Sequence, residues 1–175
     1  MEAITHILTG IFIQVICYIY FIFPVNLIFT IIFAFFSHFL IDALAKITYH
    51  TPKAHREDKV WVLWHFITPA LIVVLLVWLL LINWMLVVVF MIGAIAANFV
   101  DIIDWLILRA ILKKDREKGY FLHDSIDIIR DKIPPFNWLP NWNQKYIGII
   151  PEALIILILW LTILFLLPFF PFPTS

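Results

Sequence analysis

What most constrains this chain is a series of apolar runs, each close to the thickness of a lipid bilayer. Residues 7–23 read "ILTGIFIQVICYIYFIF", and further runs follow at about 27–47, 60–82, 84–112 and 146–167. A helix that crosses hydrocarbon needs about 20 mostly apolar residues. The breaks are "PVN" at 24–26, the polar stretch 48–59, "NW" near 83 and a long polar connection at 113–145. Pro24 and Asn26 favour a tight turn, so the first two runs form an antiparallel hairpin. The expected fold is therefore an all-α integral membrane protein. It is a single domain (1–175) with a bundle of about five transmembrane helices and a long cytoplasmic loop between helices four and five.

Composition excludes the soluble alternative. Hydrophobic residues make up 64% of the 175 and charged residues 14%. A soluble domain of this size could not hide that much apolar surface. The formal net charge is zero, so bulk charge suggests no nucleic-acid partner, and the expected partners are membrane lipids. Cys17 is the single cysteine, which rules out an intrachain disulfide. The first run lacks a basic leader and a small-residue cleavage signal, so it reads as a span and not as a signal peptide.

Five spans place the chain ends on opposite sides. The N-terminus, the 48–59 loop and the 113–145 loop then share one face, and every Lys and Arg falls on that face or within about two helical turns of it. Such a bias marks the cytoplasmic side. The N-terminus is expected in the cytoplasm and the C-terminus outside, most simply in the plasma (inner) membrane. Within 113–145, "HDSIDIIRDKI" suggests a short helix. "PPFNWLPNW" places tryptophans between prolines, a pattern suited to the headgroup zone.

The polar residues inside the oil carry the chemistry. His38 and Asp42 in "SHFLIDAL" are one helical turn apart and share a face. In "AANFVDIIDW", Asn98, Asp101 and Asp104 recur every third residue as a polar stripe. "FLHDS" adds His123 just beyond. A carboxylate near a helix centre costs on the order of 2.5–3.5 kcal/mol by insertion scales, so several at one depth call for a cation. His38, Asp42, Asp101, Asp104 and His123 are the expected metal ligands, and a mixed His/Asp set suits a divalent ion, zinc or manganese above all. A bridging carboxylate would also allow two ions. Glu152, early in the fifth span, and His65, one turn into the third, are the candidate catalytic groups for moving a proton. His6, His50 and His55 are further candidates, and Lys113, Lys114 and Arg116 can attract an anionic headgroup. The bland alternatives are a His–Asp hydrogen bond that locks two helices, a surface histidine at 123, and a helix-start charge at Glu152 that favours the dipole. No HExxH, GxSxG or Walker loop is present.

These segments resemble a known family. "SHFLIDAL" looks like the SHxxxD segment of the membrane-bound metal-dependent hydrolases, the YdjM-like group. "GAIAANFVDIIDW" is similar to their small-residue-rich helix that ends in paired acids, and "THILTG" (5–10) to their N-terminal histidine-glycine start. "FLHDS" corresponds loosely to a further histidine motif. The match spans roughly the first 125 residues. It departs from the pattern in the DxxD spacing of Asp101 and Asp104, in Trp105 where a histidine would follow, and in the missing HRGxTHS-like motif. The resemblance implies a metal-dependent hydrolase acting on a phosphoester-containing lipid, with His38, Asp42 and Asp101 carried over. Two alternatives stay open: a cation- or proton-conducting transporter subunit, and a non-catalytic membrane scaffold with a buried polar cluster.

Overall fold

The protein is described here by a computed structural model covering residues 1–49, 57–113 and 121–170. Every regular element among these residues is helical. The elements are α1 (Ala3–Tyr20), α2 (Val25–Ala43, extended by a 3-10 turn Leu44–Lys46), α3 (Lys59–Ile82) and α4 (Trp84–Ala97). They continue with α5 (Phe99–Asp101, widening into a π-helix Ile102–Ile111), α6 (Phe121–Lys132) and α7 (Ile149–Leu166, preceded by a 3-10 turn Tyr146–Gly148 and followed by another, Leu167–Phe169). Among the described residues four helices are long and apolar enough to cross a membrane: Ala3–Tyr20, Val25–Lys46, Lys59–Ile82 and Tyr146–Phe169. A fifth span results if the bent pair Trp84–Ala97 and Phe99–Leu108 counts as one. Large apolar side chains such as Phe36, Leu81 and Phe165 point outward. That is a surface for lipid and not for water, consistent with an integral membrane protein.

The first span begins earlier than its apolar run suggests, at Ala3 instead of residue 7, and it is the most buried of the set. Its sequence explains both facts. Thr5, Thr9, Gly10 and Gln14 follow i, i+4 and i+5 spacings and give α1 a polar, narrow flank. With Ile4, Leu8, Ile11 and Val15 in the main apolar core, this lets α1 pack against α2, α3, α4 and α7. Helix association in lipid depends on close approach and interhelical hydrogen bonds, because hydrocarbon competes for apolar contact. At Gly10 a Cβ would stand 2.2 Å from the Gly93 carbonyl oxygen, and at Gly93 one would stand 2.3 Å from the Gly10 carbonyl oxygen. One turn on, the fully buried Gln14 donates from Nε2 to the Val89 carbonyl (2.8 Å) and accepts from the Gly93 N–H (2.9 Å). Its amide thus engages both ends of one rung of the α4 ladder.

The connections are short where the sequence offers capping residues. Asn83 alone separates α3 from α4, ending one helix and capping the next by accepting from the Met85 N–H. Asp58 caps α3, its side chain accepting from Val60 and Trp61. In the fourth run, by contrast, the expected single helix over 84–112 is broken. α4 stops at Ala97, and α5 leaves at an angle of 65°. The cause is local: the Asn98 side chain donates to the Ala94 carbonyl (2.8 Å), a competition with the backbone ladder that bends helices. Beyond it the turn widens, and Leu112 N–H bonds to Ile107 O. Wide turns of this kind concentrate at functional positions.

Replacing Gly10 or Gly93 by valine should cost about 1–3 kcal/mol through overpacking at the α1–α4 crossing. The check is the unfolding midpoint of each variant in mixed detergent micelles. A midpoint equal to the parent's would show that the two backbones do not meet.

Candidate metal centre

The helix ends bring polar groups from separate segments to one end of the bundle. His38 and Asp42 come from the last two turns of α2, Asp101 and Asp104 from α5, His123 from α6 and His6 from the first turn of α1. His38 Nε2, an Asp42 oxygen, an Asp101 oxygen and a His123 ring nitrogen form a group whose ligand atoms all lie within 4.8 Å of one another. Four contacts within it are shorter. His38 Nε2 is 3.3 Å from Asp42 Oδ2 and 3.9 Å from Asp101 Oδ1, and His123 Nε2 is 3.5 Å from Asp101 Oδ1 and 3.9 Å from Asp42 Oδ2. Donors about 2.0–2.2 Å from a tetrahedral zinc ion stand roughly 3.3–3.6 Å apart. The cluster can hold a metal ion if its four named contacts contract by a few tenths of an ångström and its widest separation, up to 4.8 Å, by about 1 Å.

The ring orientations point the same way. His38 Nδ1 lies 2.8 Å from the Ala97 carbonyl, the last one of α4 before the break. A carbonyl only accepts, so Nδ1 carries the proton and donates. Nε2 is left facing two carboxylates from a fully buried ring (0% exposed) and makes no hydrogen bond. A neutral imidazole lone pair aimed at two anions is repulsive. Only a cation between them, a metal ion or a second ring proton, turns it into an attraction. His123 is set in the same manner: its Nδ1 hydrogen bonds to Asp104 while Nε2 faces the cluster. Metal-binding histidines are typically held this way, by a carboxylate or a carbonyl on the far nitrogen. Asp42 is anchored on its other oxygen, Oδ1, by His6 Nε2 at 3.0 Å and the Met1 amino nitrogen at 2.7 Å. The His6 and His38 rings stack at 4.2 Å.

The expected ligands therefore divide. His38, Asp42, Asp101 and His123 meet. Asp104 stands behind His123, buried, because the break at Asn98 and the wide turn after it fan the DxxD pair apart. Asn98 serves the backbone and leaves the stripe. His6, undecided from sequence, orients Asp42. Its position between the core residues Ile4 and Leu8 offered no signal of a partner 36 residues away. Glu152 and His65 are gathered elsewhere. Glu152, fully buried, accepts on Oε1 from the Glu2 N–H (2.9 Å) and Thr5 Oγ1 (3.5 Å). His65 donates from Nδ1 to the Trp61 carbonyl (2.8 Å) and faces Glu2 Oε1 at 3.5 Å with Nε2. Thr68 donates to the other Glu2 oxygen. His50, His55, Lys114 and Arg116 lie outside the described residues.

Burial, the largest single influence on His123, pulls its pKa down. Hydrogen bonds to Asp101 and Asp104, with the charges of Asp101 and Asp42, outweigh it and hold the ring up at about 9. His123 is thus an imidazolium at neutral pH when no metal is present. Comparison of the chain with protein-family models, with curated protein sequences and with solved structures found no match.

Two outcomes follow from this geometry. Purified protein should carry one equivalent of divalent metal by mass spectrometry, lost in His38→Ala and Asp101→Asn. Asp104→Asn should bind about 10–100-fold more weakly, since it removes only the orienting partner. Retention of a full equivalent by His38→Ala would disprove the site. The second outcome concerns pH. A metal takes the neutral imidazole, so binding must expel the His123 proton at any pH below about 9. Affinity should rise roughly tenfold per pH unit up to that value and then level off. Competition titration with a chromophoric chelator between pH 6.5 and 10 measures the slope, and a flat profile would exclude His123 as a ligand.

Proposed function

We propose that the protein is a metal-dependent hydrolase of the cytoplasmic leaflet that acts on a phosphoester-containing lipid, as its resemblance to the YdjM-like membrane hydrolases implies. The observation that carries this is the buried His38 Nε2, held without a hydrogen bond against two carboxylates. His38, Asp42, Asp101 and His123 would hold the ion, zinc or manganese, and the mixed His/Asp donor set suits zinc. Such an ion supplies Lewis-acid polarisation of the scissile group and acidifies a water molecule.

The chain's own residues do the rest. The Asp101 and His123 side chains are each 31% exposed while His38 is closed off, so a substrate reaches the centre on the α5–α6 side. On the opposite side, Glu152 is no more than about 9 Å from Asp42, as their contacts to the consecutive backbone nitrogens of Glu2 and Met1 require. Glu152 would take up a proton released at the centre, and the half-buried Glu2–His65 pair would pass it outward. Glu152 and His65 act by relay, since neither touches the ligand group. The centre lies at the end of the bundle that holds the Lys- and Arg-bearing connections, which supports a cytoplasmic N-terminus and an external C-terminus in the plasma (inner) membrane.

Conduction of a cation or proton would need polar groups continuing through the other half of the bundle. There, among the described residues, the buried Gln14 and Thr30 are hydrogen bonded to backbone, and Asn26, buried with Oδ1 unpartnered, does not continue into a chain of polar groups. Screening of phosphoester lipids in mixed micelles tests the hydrolytic reading. Hydrolysis should require metal, vanish in Asp101→Asn, and fall on the order of 10²-fold in Glu152→Gln with metal content unchanged. Metal-replete protein inert towards every phosphoester lipid class would leave only the scaffold or conduction alternatives.

A further inference from the structure

We infer that α6 (Phe121–Lys132) lies within the headgroup layer of the leaflet that contains the metal cluster, with Ile129 and Ile133, the edge of its apolar stripe left open by the bundle, against lipid. This needs only that the bundle crosses a bilayer, and it is independent of the hydrolytic reading. Depth is set by the cluster. His123 Nε2 is 3.9 Å from Asp42 Oδ2, and Asp42 precedes Lys46, the last residue of the α2 span, by four residues. Those four residues rise roughly 6–8 Å. The first turn of α6 is thereby held below the end of the α2 span. Interfacial helices settle about 5–10 Å into the headgroup–acyl boundary, the same depth.

The sequence of α6 fits that position. Leu122, Ile126, Ile129 and Ile133 follow i, i+4, i+7 and i+11 spacing and form one apolar face. The Ile133 N–H bonds to Ile129 O, so the helical register reaches it. Asp124, Asp127 and Asp131 occupy the other side, all exposed. α6 packs on α2 and buries Ile126, while Ile133 stays exposed. α2 also presents Phe36 and Leu40 outward, the apolar surface of the span against which α6 packs. The following segment is fastened at the same level: Lys46 Nζ donates to the Asn137 carbonyl (3.1 Å) and the Lys46 carbonyl accepts from the Trp142 N–H (2.7 Å). Trp138 is 75% exposed there, and an indole in that setting anchors at the membrane–water boundary. The open Asp101–His123 edge of the cluster then faces headgroups.

Site-directed spin labelling of the full chain in proteoliposomes tests this. Cys17 is buried (1% exposed) and stays unlabelled, so single cysteines can be introduced at Ile129, Ile133, Asp124 and Asp131 in the native sequence. Labels at Ile129→Cys and Ile133→Cys should collide more with molecular oxygen, which concentrates in lipid, than with a water-soluble nickel chelate. Labels at Asp124→Cys and Asp131→Cys should show the reverse. Trp138→Cys should group with the isoleucine positions. Preference for the nickel chelate at Ile129 and Ile133 would overturn the inference, as would any pattern without this alternation around the helix. Either result leaves the metal titration unaffected, so the two proposals fail separately.

Discussion

A fully buried imidazole whose second nitrogen faces two carboxylates without a hydrogen bond is the constraint on which the rest of this structure turns. In a low-dielectric interior, charges that would cost little in water become expensive unless an opposite charge completes the set. The chain has not simply tolerated Asp42, Asp101 and Asp104 within apolar segments. It has brought two histidines to them with each far nitrogen occupied, His38 by Ala97 and His123 by Asp104. Rings fixed in this way keep their other nitrogens directed at the carboxylates. The arrangement is preorganised for a cation.

That preorganisation depends on a defect in a helix. The Ala97 carbonyl is free for His38 because α4 ends there, and it ends there because the Asn98 amide competes for the Ala94 carbonyl. The same break turns α5 by 65° and begins the widened turn that separates Asp101 from Asp104. A straight helix would have put both acids on one stripe facing the same way, as mutually repelling neighbours. Bent, one serves as a ligand and the other as the clasp on a ligand. A non-helical junction at membrane depth is acceptable only where protein groups satisfy it, and here His38 does so.

The first helix divides the polar end of the bundle into two compartments. One of its faces gives His6 to Asp42; the adjacent face gives Thr5 and the Glu2 backbone to Glu152, and the Glu2 carboxylate to His65 and Thr68. Pro69 inside α3 adds to this, since the residue four positions before it, His65, loses a backbone donor for its carbonyl. Farther along, the same helix is bound to α4 by Gly10, Gly93 and Gln14. Close backbone approach at one end thus fixes the spacing of charged groups at the other.

The apolar runs by themselves determined that the described residues are helical and where four candidate spans lie to within a few residues, because bilayer thickness acts on local sequence. The fourth run, broken at Asn98, was not legible as such. His38 and Asp42, one turn apart, were legible as a pair because the cost of a buried charge also acts on local sequence. What only the tertiary structure decided is which residues face one another: that Asp104 backs His123 instead of joining it, that His6 reaches Asp42, and that Glu152 and His65 form a separate cluster around Glu2. Those outcomes follow from the 65° break and from the glycine-set crossing of α1 and α4. Side-chain spacing along one helix cannot express them, since the direction a residue faces depends on the rotation and tilt of its helix against neighbours distant in the chain.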